Sequence, residues 1–221
     1  PGASTVGTRR TSLVIDPPDG RLPALTPNAQ RRAEGSQGYE QPPPEAWLDL
    51  DAGDRCLLGL NSGPPIIPGG YNQNLQVFQT PDYVVLLTEM VHTVRIVPLD
   101  GRPALGPEIR QWAGEARGQW EGETLVVETT NFVGNRRWTI ANPMGALGSS
   151  EQLKLIERLT RVDGDTLEYT FTVHDPEVWS HPWTVSIPMV SNDQALYEYA
   201  CHEGNYSLAN MLAGARAAES R

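Results

Sequence analysis

The chain has 221 residues, with 17 Lys and Arg against 27 Asp and Glu and a net charge of −10. That length is most simply one domain with a core large enough to need no metal or disulfide staple. The acid excess repels phosphate backbones and anionic bilayer surfaces, which excludes nucleic acid and the membrane as expected partners. No run approaches the apolar length needed to cross a bilayer, so a soluble protein is expected.

Residues 1–45 read as an irregular N-terminal arm, set apart from a body over residues 46–221. Thr11 to Ile15 predicts one short strand, stopped by Asp16-Pro17-Pro18-Asp19-Gly20. Thr26-Pro27 has the form of an N-cap followed by proline at the first helical position, with helix over Asn28 to Glu34. An arm of this kind is expected to wrap the body; in an interaction or structural protein it would instead dock on a partner or on a second copy of the chain, the latter giving a homo-oligomer.

From Asn74 the pattern turns β. Asn74 to Gln79 alternates, Thr80-Pro81-Asp82 is a turn, and Tyr83 to Met90 is a strand apolar on both faces. Arg95 to Leu99 leads into Asp100-Gly101, a hairpin signal. Gly118 to Thr130 reads as strand, turn at Gly122, strand. Residues 135–150 read as a long loop, and strands expected over Leu153 to Val162 and Thr166 to Val173 meet at Asp163-Gly164-Asp165. In the latter strand Leu167, Tyr169, Phe171 and Val173 share one face, as a sheet with one core side requires. Trp183 to Ile187 and Leu196 to Ala200 predict two final strands, and Leu208 to Arg216 a short C-terminal helix. The expected fold is all-β: an antiparallel meander closed into a lipocalin-like barrel, with a two-sheet sandwich as its rival.

Cys56 and Cys201 are the only cysteines and have no CxxC spacing. A thiolate zinc site is disfavoured, and a single long-range disulfide or two buried thiols both remain open.

Several segments carry a resemblance. Arg55-Cys56, Tyr71-Asn72, Gln79 to Val85, Glu89 to His92, Arg95 to Pro103, Arg117 to Phe132 and Tyr197 to Tyr206 together resemble a family of secreted bacterial hypothetical proteins. Its motifs are R-G-x-W-E-G-x-T-L-V-V-x-T-T-N-F and Y-A-C-H-E-G-N-Y, and the resemblance runs from about Thr11 to Arg216. It implies an export signal upstream, a periplasmic or secreted location and an oxidising compartment, which favours a Cys56–Cys201 disulfide. It implies no reaction.

The residues themselves suggest where chemistry would sit. Imidazole titrates near neutral pH, so His92 and His202 are the candidate proton-transfer groups, if their strand ends meet at one barrel mouth. Arg95 would steady developing negative charge, with Glu203 and Tyr206 assisting. Glu89, Asn205 and Trp138 are candidate substrate contacts, Trp138 as a lid in the long loop. Trp112, Trp120, Trp179 and Trp183 can stack on a ring or simply pack. A two-His, carboxylate metal site from His92, His202, Glu89 and Glu203 lacks any H-x-H or H-E-x-x-H spacing, so no metal or other cofactor is expected. There is no G-x-S-x-G elbow for a nucleophile. The expected function is an exported acid-base enzyme, a lyase, isomerase or hydrolase, acting on a small, partly apolar organic molecule. The alternative is a non-catalytic periplasmic protein that binds such a molecule; there the histidines would be dispersed and solvated.

Overall fold

The protein is described by a computed structural model over residues 2–5, 10–35, 44–59, 61–134 and 148–219. Ten strands make one antiparallel sheet. They are β1 (Gly2–Thr5), β2 (Val14–Asp16), β3 (Leu75–Gln79), β4 (Tyr83–Thr88), β5 (Val94–Pro98), β6 (Glu115–Glu121), β7 (Thr124–Thr130), β8 (Lys154–Arg161), β9 (Thr166–His174) and β10 (Trp183–Asn192). Helices α1 (Pro27–Gly35) and α2 (Tyr206–Glu219), with 3-10 turns at Trp47–Asp49 and Met90–His92, complete the described elements. The main path runs β5-β4-β3-β1-β10-β9-β8-β7-β6, with β2 pairing β10 beside it.

The alternation expected for β9 is what the sheet uses: Tyr169, Phe171 and Val173 are buried, and the intervening residues are not. The arm contributes two strands, and β1 pairs with both β10 and β3 in the middle of the path. Thr26 caps α1 by accepting the Ala29 N–H at 3.2 Å, and Ala29 is fully buried in the core. The strand β10 continues through Pro188 to Asn192. Ser191 donates its N–H to Asp165 of the β9 side, whereas Ser186 donates to Leu13 on the other side. Even-numbered positions of β10 therefore face away from β9, and Pro188 falls between the stretches paired with β2 and β1, where no donor is required.

Two expectations are corrected. Residues 193–200 are not a strand. Both flanks of β10 are occupied, by β9 and by β1 and β2, so Leu196 to Ala200 has no adjacent edge to join. Nor do hydrogen bonds close the sheet into a barrel: among the described residues no ladder joins β5 to β6. The path holds nine strands, each antiparallel to the next, so its two end strands run parallel and only a parallel ladder could join them.

The sheet nevertheless curls around one core, to which β4 and β5 contribute Val84, Leu86 and Val97 and β7 to β10 contribute Leu125, Leu155, Phe171 and Ile187. At the seam, a Cβ on Gly118 of β6 would stand 2.7 Å from Val97 and 2.8 Å from Leu99, so glycine permits the close approach. A buried ion pair spans the interior. Arg95 of β5 donates through Nη1 to Glu157 Oε1 at 2.9 Å and through Nη2 to Glu157 Oε2 at 2.5 Å on β8. Nη2 also donates to Thr129 of β7 at 3.3 Å, and Tyr169 of β9 donates to Glu157 at 2.6 Å. Tyr169 in turn accepts the Ile66 N–H at 3.0 Å, which anchors the buried segment Asn61 to Ile66 inside the curl.

Glu157→Leu alone is expected to lower stability by about 3–5 kcal/mol, because it strands the Arg95 charge in the interior. Arg95→Met combined with Glu157→Leu recovers most of that loss in urea unfolding, as expected when both charges are removed together. Equal destabilisation by the single and double variants would contradict the pairing.

Candidate functional site

Inward-facing positions recur every second residue along each strand, so each strand ends in a last inward side chain at the hairpin-turn end of the sheet. On β8 the series is Leu155, Glu157, Leu159 and Arg161; on β6 it is Ala116, Gly118 and Trp120; on β9 it ends at Leu167. The final members meet around a cavity of about 780 Å³. Val84, Leu125 and Leu159, all buried, make its floor. Val77, Trp120 and Val162, which are 44%, 45% and 52% exposed, make its rim together with Leu167. Gln79, Glu123, Arg161 and Asp163 add polar groups at the mouth. A volume of several hundred Å³ with mostly apolar walls and a few polar groups is the form small-molecule sites take.

The polar groups at the mouth differ in how far they are engaged. Arg161 donates through Nε to Asp163 O at 3.0 Å and through Nη2 to Gly164 O at 2.8 Å, clasping the β8–β9 turn. Asp163 accepts the N–H groups of Asp165 at 2.8 Å and Thr166 at 2.7 Å, and these hydrogen bonds hold its pKa below the ordinary 3.8. Among the described residues Glu123 has no hydrogen-bond or ion-pair partner, and the Trp120 ring stacks on nothing.

One inward step below Leu159 lies the Arg95–Glu157–Tyr169 cluster, so the cavity floor rests on a polar layer in which both Arg95 Nη atoms, the Glu157 carboxylate and the Tyr169 hydroxyl are paired, while Arg95 Nε has no partner among the described residues. Burial alone would lower the Arg95 pKa, but the charge and hydrogen bonds of Glu157 outweigh it and the pKa is raised. Burial, then the adjacent Glu157 charge, push the Tyr169 phenol well above its ordinary 10.0. Arg95 is thus 5% exposed and fully committed at both Nη atoms, and it does not face the cavity.

The other expected site residues lie elsewhere. His92 follows β4 in a 3-10 turn (Met90–His92) at the end opposite the β3–β4 hairpin, with left-handed backbone at Val91 (φ 56°) and His92 (φ 38°). His202 and Glu203 lie in the turn before α2, and Tyr206 begins that helix at 76% exposure. Both imidazoles are exposed and, among the described residues, have no side-chain hydrogen-bond partner. Glu89 and Asn205 are structural. Buried Glu89 accepts the Asn74 side-chain amide at 2.8 Å and the Tyr197 N–H at 3.1 Å. Asn205 donates to Asp54 O at 2.7 Å and accepts the Leu208 N–H at 3.3 Å, capping α2. Trp138 lies outside the described residues. Trp179 and Trp183 pack edge to face in the core at 5.7 Å, and Trp112 lies against Arg55 at 5.2 Å.

The Cys56–Cys201 disulfide is formed, joining positions 145 residues apart. Around it Asp54, Asn72, Glu198, Tyr199 and Asn205 line a separate, polar hollow of about 490 Å³. Tyr199 stacks on Tyr71 at 6.3 Å there. The segment Tyr197 to Tyr206 is therefore tied down by a staple, a ring stack and the Glu89 and Asn205 hydrogen bonds. Among the described residues no group of three or more His, Cys, Asp or Glu side chains is placed to hold a metal ion. No protein-family model, curated protein or solved structure matches the chain.

The turn-end cavity was not singled out by sequence, although its signal was present. Trp120, Leu159 and Leu167 continue inward-facing series to the strand ends, and an apolar residue beside a hairpin turn has nothing of its own chain left to cover it.

The Tyr169 shift makes a pH prediction. Its folded pKa lies above the unfolded value, so its contribution to stability is complete below about pH 10 and is lost as pH rises beyond it. Urea midpoints measured between about pH 8 and 11.5 should fall more steeply for the natural protein than for Tyr169→Phe. Parallel profiles would remove Tyr169 from the cause.

Proposed function

We propose that the protein is an exported, periplasmic or secreted binding protein for a small, largely apolar organic molecule, held in the turn-end cavity. On this reading the curled sheet serves as a lipocalin-like container, with side chains in place of a ladder along the β5–β6 seam. The observation that carries the proposal is the cavity itself: an apolar floor of Val84, Leu125 and Leu159 opening to a rim where Trp120 and Val162 stay exposed. Exposed apolar surface gathered in one concavity is retained for a ligand more readily than for stability. The disulfide supports export, because such bonds persist in oxidising compartments. No helix among the described residues is long and apolar enough to cross a membrane.

Acid-base catalysis is the weaker reading. Neither His92 nor His202 lines the cavity, and Arg95, the intended anion stabiliser, is engaged by Glu157. A general base must come within hydrogen-bond reach of the proton it removes, directly or through one water.

Leu159→Trp, which places a larger side chain at the floor, is expected to weaken binding of an environment-sensitive apolar dye by at least about tenfold, since one lost methylene-scale contact is worth nearly 1 kcal/mol and several are lost. His92→Ala and His202→Ala are expected to leave dye binding within about twofold, as surface substitutions away from a site do. Dye binding that survives Leu159→Trp in a folded variant but fails in the histidine variants would place the site at the other end of the sheet.

A further inference from the structure

The mouth of the cavity distinguishes between ligand charges. Glu123 and Asp163 present two carboxylates there against the single guanidinium of Arg161, leaving one net negative charge. The guanidinium is clasped to the carbonyls of Asp163 and Gly164, which holds it against the turn. Glu123 is exposed and unpaired among the described residues, while its neighbour Glu121 is neutralised by Arg158 at 2.7 Å. Trp120 ends the inward series of β6 and offers a half-exposed indole to the same cavity, with no other ring or cation against it among the described residues.

An indole face attracts a cation through its quadrupole, and an unpaired carboxylate adds a charge of the complementary sign. The net charge of −10 on the chain works in the same direction at longer range. A carboxylate ligand would meet Glu123 and Asp163 as like charges, and the bound form of Asp163 stays ionised because backbone N–H groups hold it so.

We infer that the cavity selects an apolar organic cation, an amine or quaternary ammonium with a hydrocarbon or aryl body, whose head group sits at the rim between Trp120 and Glu123 while its body reaches the Val84–Leu125–Leu159 floor. This inference rests on the cavity reading and adds to it the sign of the ligand's charge.

Three probes of one shape separate the two claims: 4-hexylbenzylamine, 4-hexylbenzyl alcohol and 4-hexylbenzoate, titrated calorimetrically at pH 7 and low salt. The amine is expected to bind at least about tenfold more tightly than the benzoate, with the alcohol between them. Glu123→Gln is expected to shrink the amine-to-benzoate ratio by at least about threefold, and raising the salt to shrink it further. Trp120→Leu, which keeps an apolar rim without the ring quadrupole, is expected to weaken the amine more than the benzoate. A benzoate that binds as tightly as the amine, or a ratio untouched by Glu123→Gln, overturns the charge selection and leaves the cavity reading in place. Failure of all three probes, the neutral alcohol included, overturns both.

Discussion

The ion pair between Arg95 and Glu157 is the constraint on which the shape of this protein depends. Strands β5 and β8 are far apart along the sheet, six steps by way of β4, β3, β1, β10 and β9, yet their side chains meet at 2.5 Å in the interior. No ladder joins the parallel end strands β5 and β6 among the described residues, so side chains hold the curl there. The bidentate pair does so with direction as well as energy, since a guanidinium fork meets a carboxylate in one plane. Hydrophobic side chains around it supply the larger share of the burial, but they would tolerate a range of curvatures.

The same cluster divides the interior into two unlike halves. On one side, Tyr169 accepts the Ile66 N–H, and the segment Asn61 to Ile66 fills the space with buried backbone and side chains. On the other side, among the described residues, nothing of comparable bulk follows Leu159, and the sheet opens into the turn-end cavity. Filling one end and leaving the other open is how a small β-container acquires a single mouth. The end carrying the greater number of chemically versatile residues, with Cys56, Cys201 and Tyr199, is the one made rigid by a disulfide, a ring stack and buried hydrogen bonds.

Much of the fold was legible because hydrophobic alternation and turn residues act locally. The faces of β9, the hairpin at Gly122 and the Thr26 cap each depend on a few adjacent residues, and each is present. What was not legible depends on partners distant in sequence. Gly2-Ala3-Ser4-Thr5 has little β-propensity of its own and is a strand because β10 and β3 flank it. Leu196 to Ala200 alternates convincingly, but both flanks of the preceding strand β10 are already occupied. In the sequence Arg95 is a cation suited to steadying negative charge; that its inward register faces Glu157 across the curl follows only from the sheet order. Likewise the stretch ending at Tyr206 is chemically rich by composition, whereas the cavity is built of ordinary Val, Leu and Trp brought together from six strands' ends.

The central claim is that a ligand enters at the hairpin-turn end, between β3, β4 and the β6–β7 and β8–β9 turns. Methyl chemical-shift perturbation measures this directly: a Leu- and Val-labelled sample titrated with a soluble aryl-alkyl probe. The methyl groups of Val77, Val84, Leu125, Leu159, Val162 and Leu167 should shift together with one dissociation constant. Shifts confined to Val91, next to His92, and Leu208, in the helix that follows His202, would contradict it.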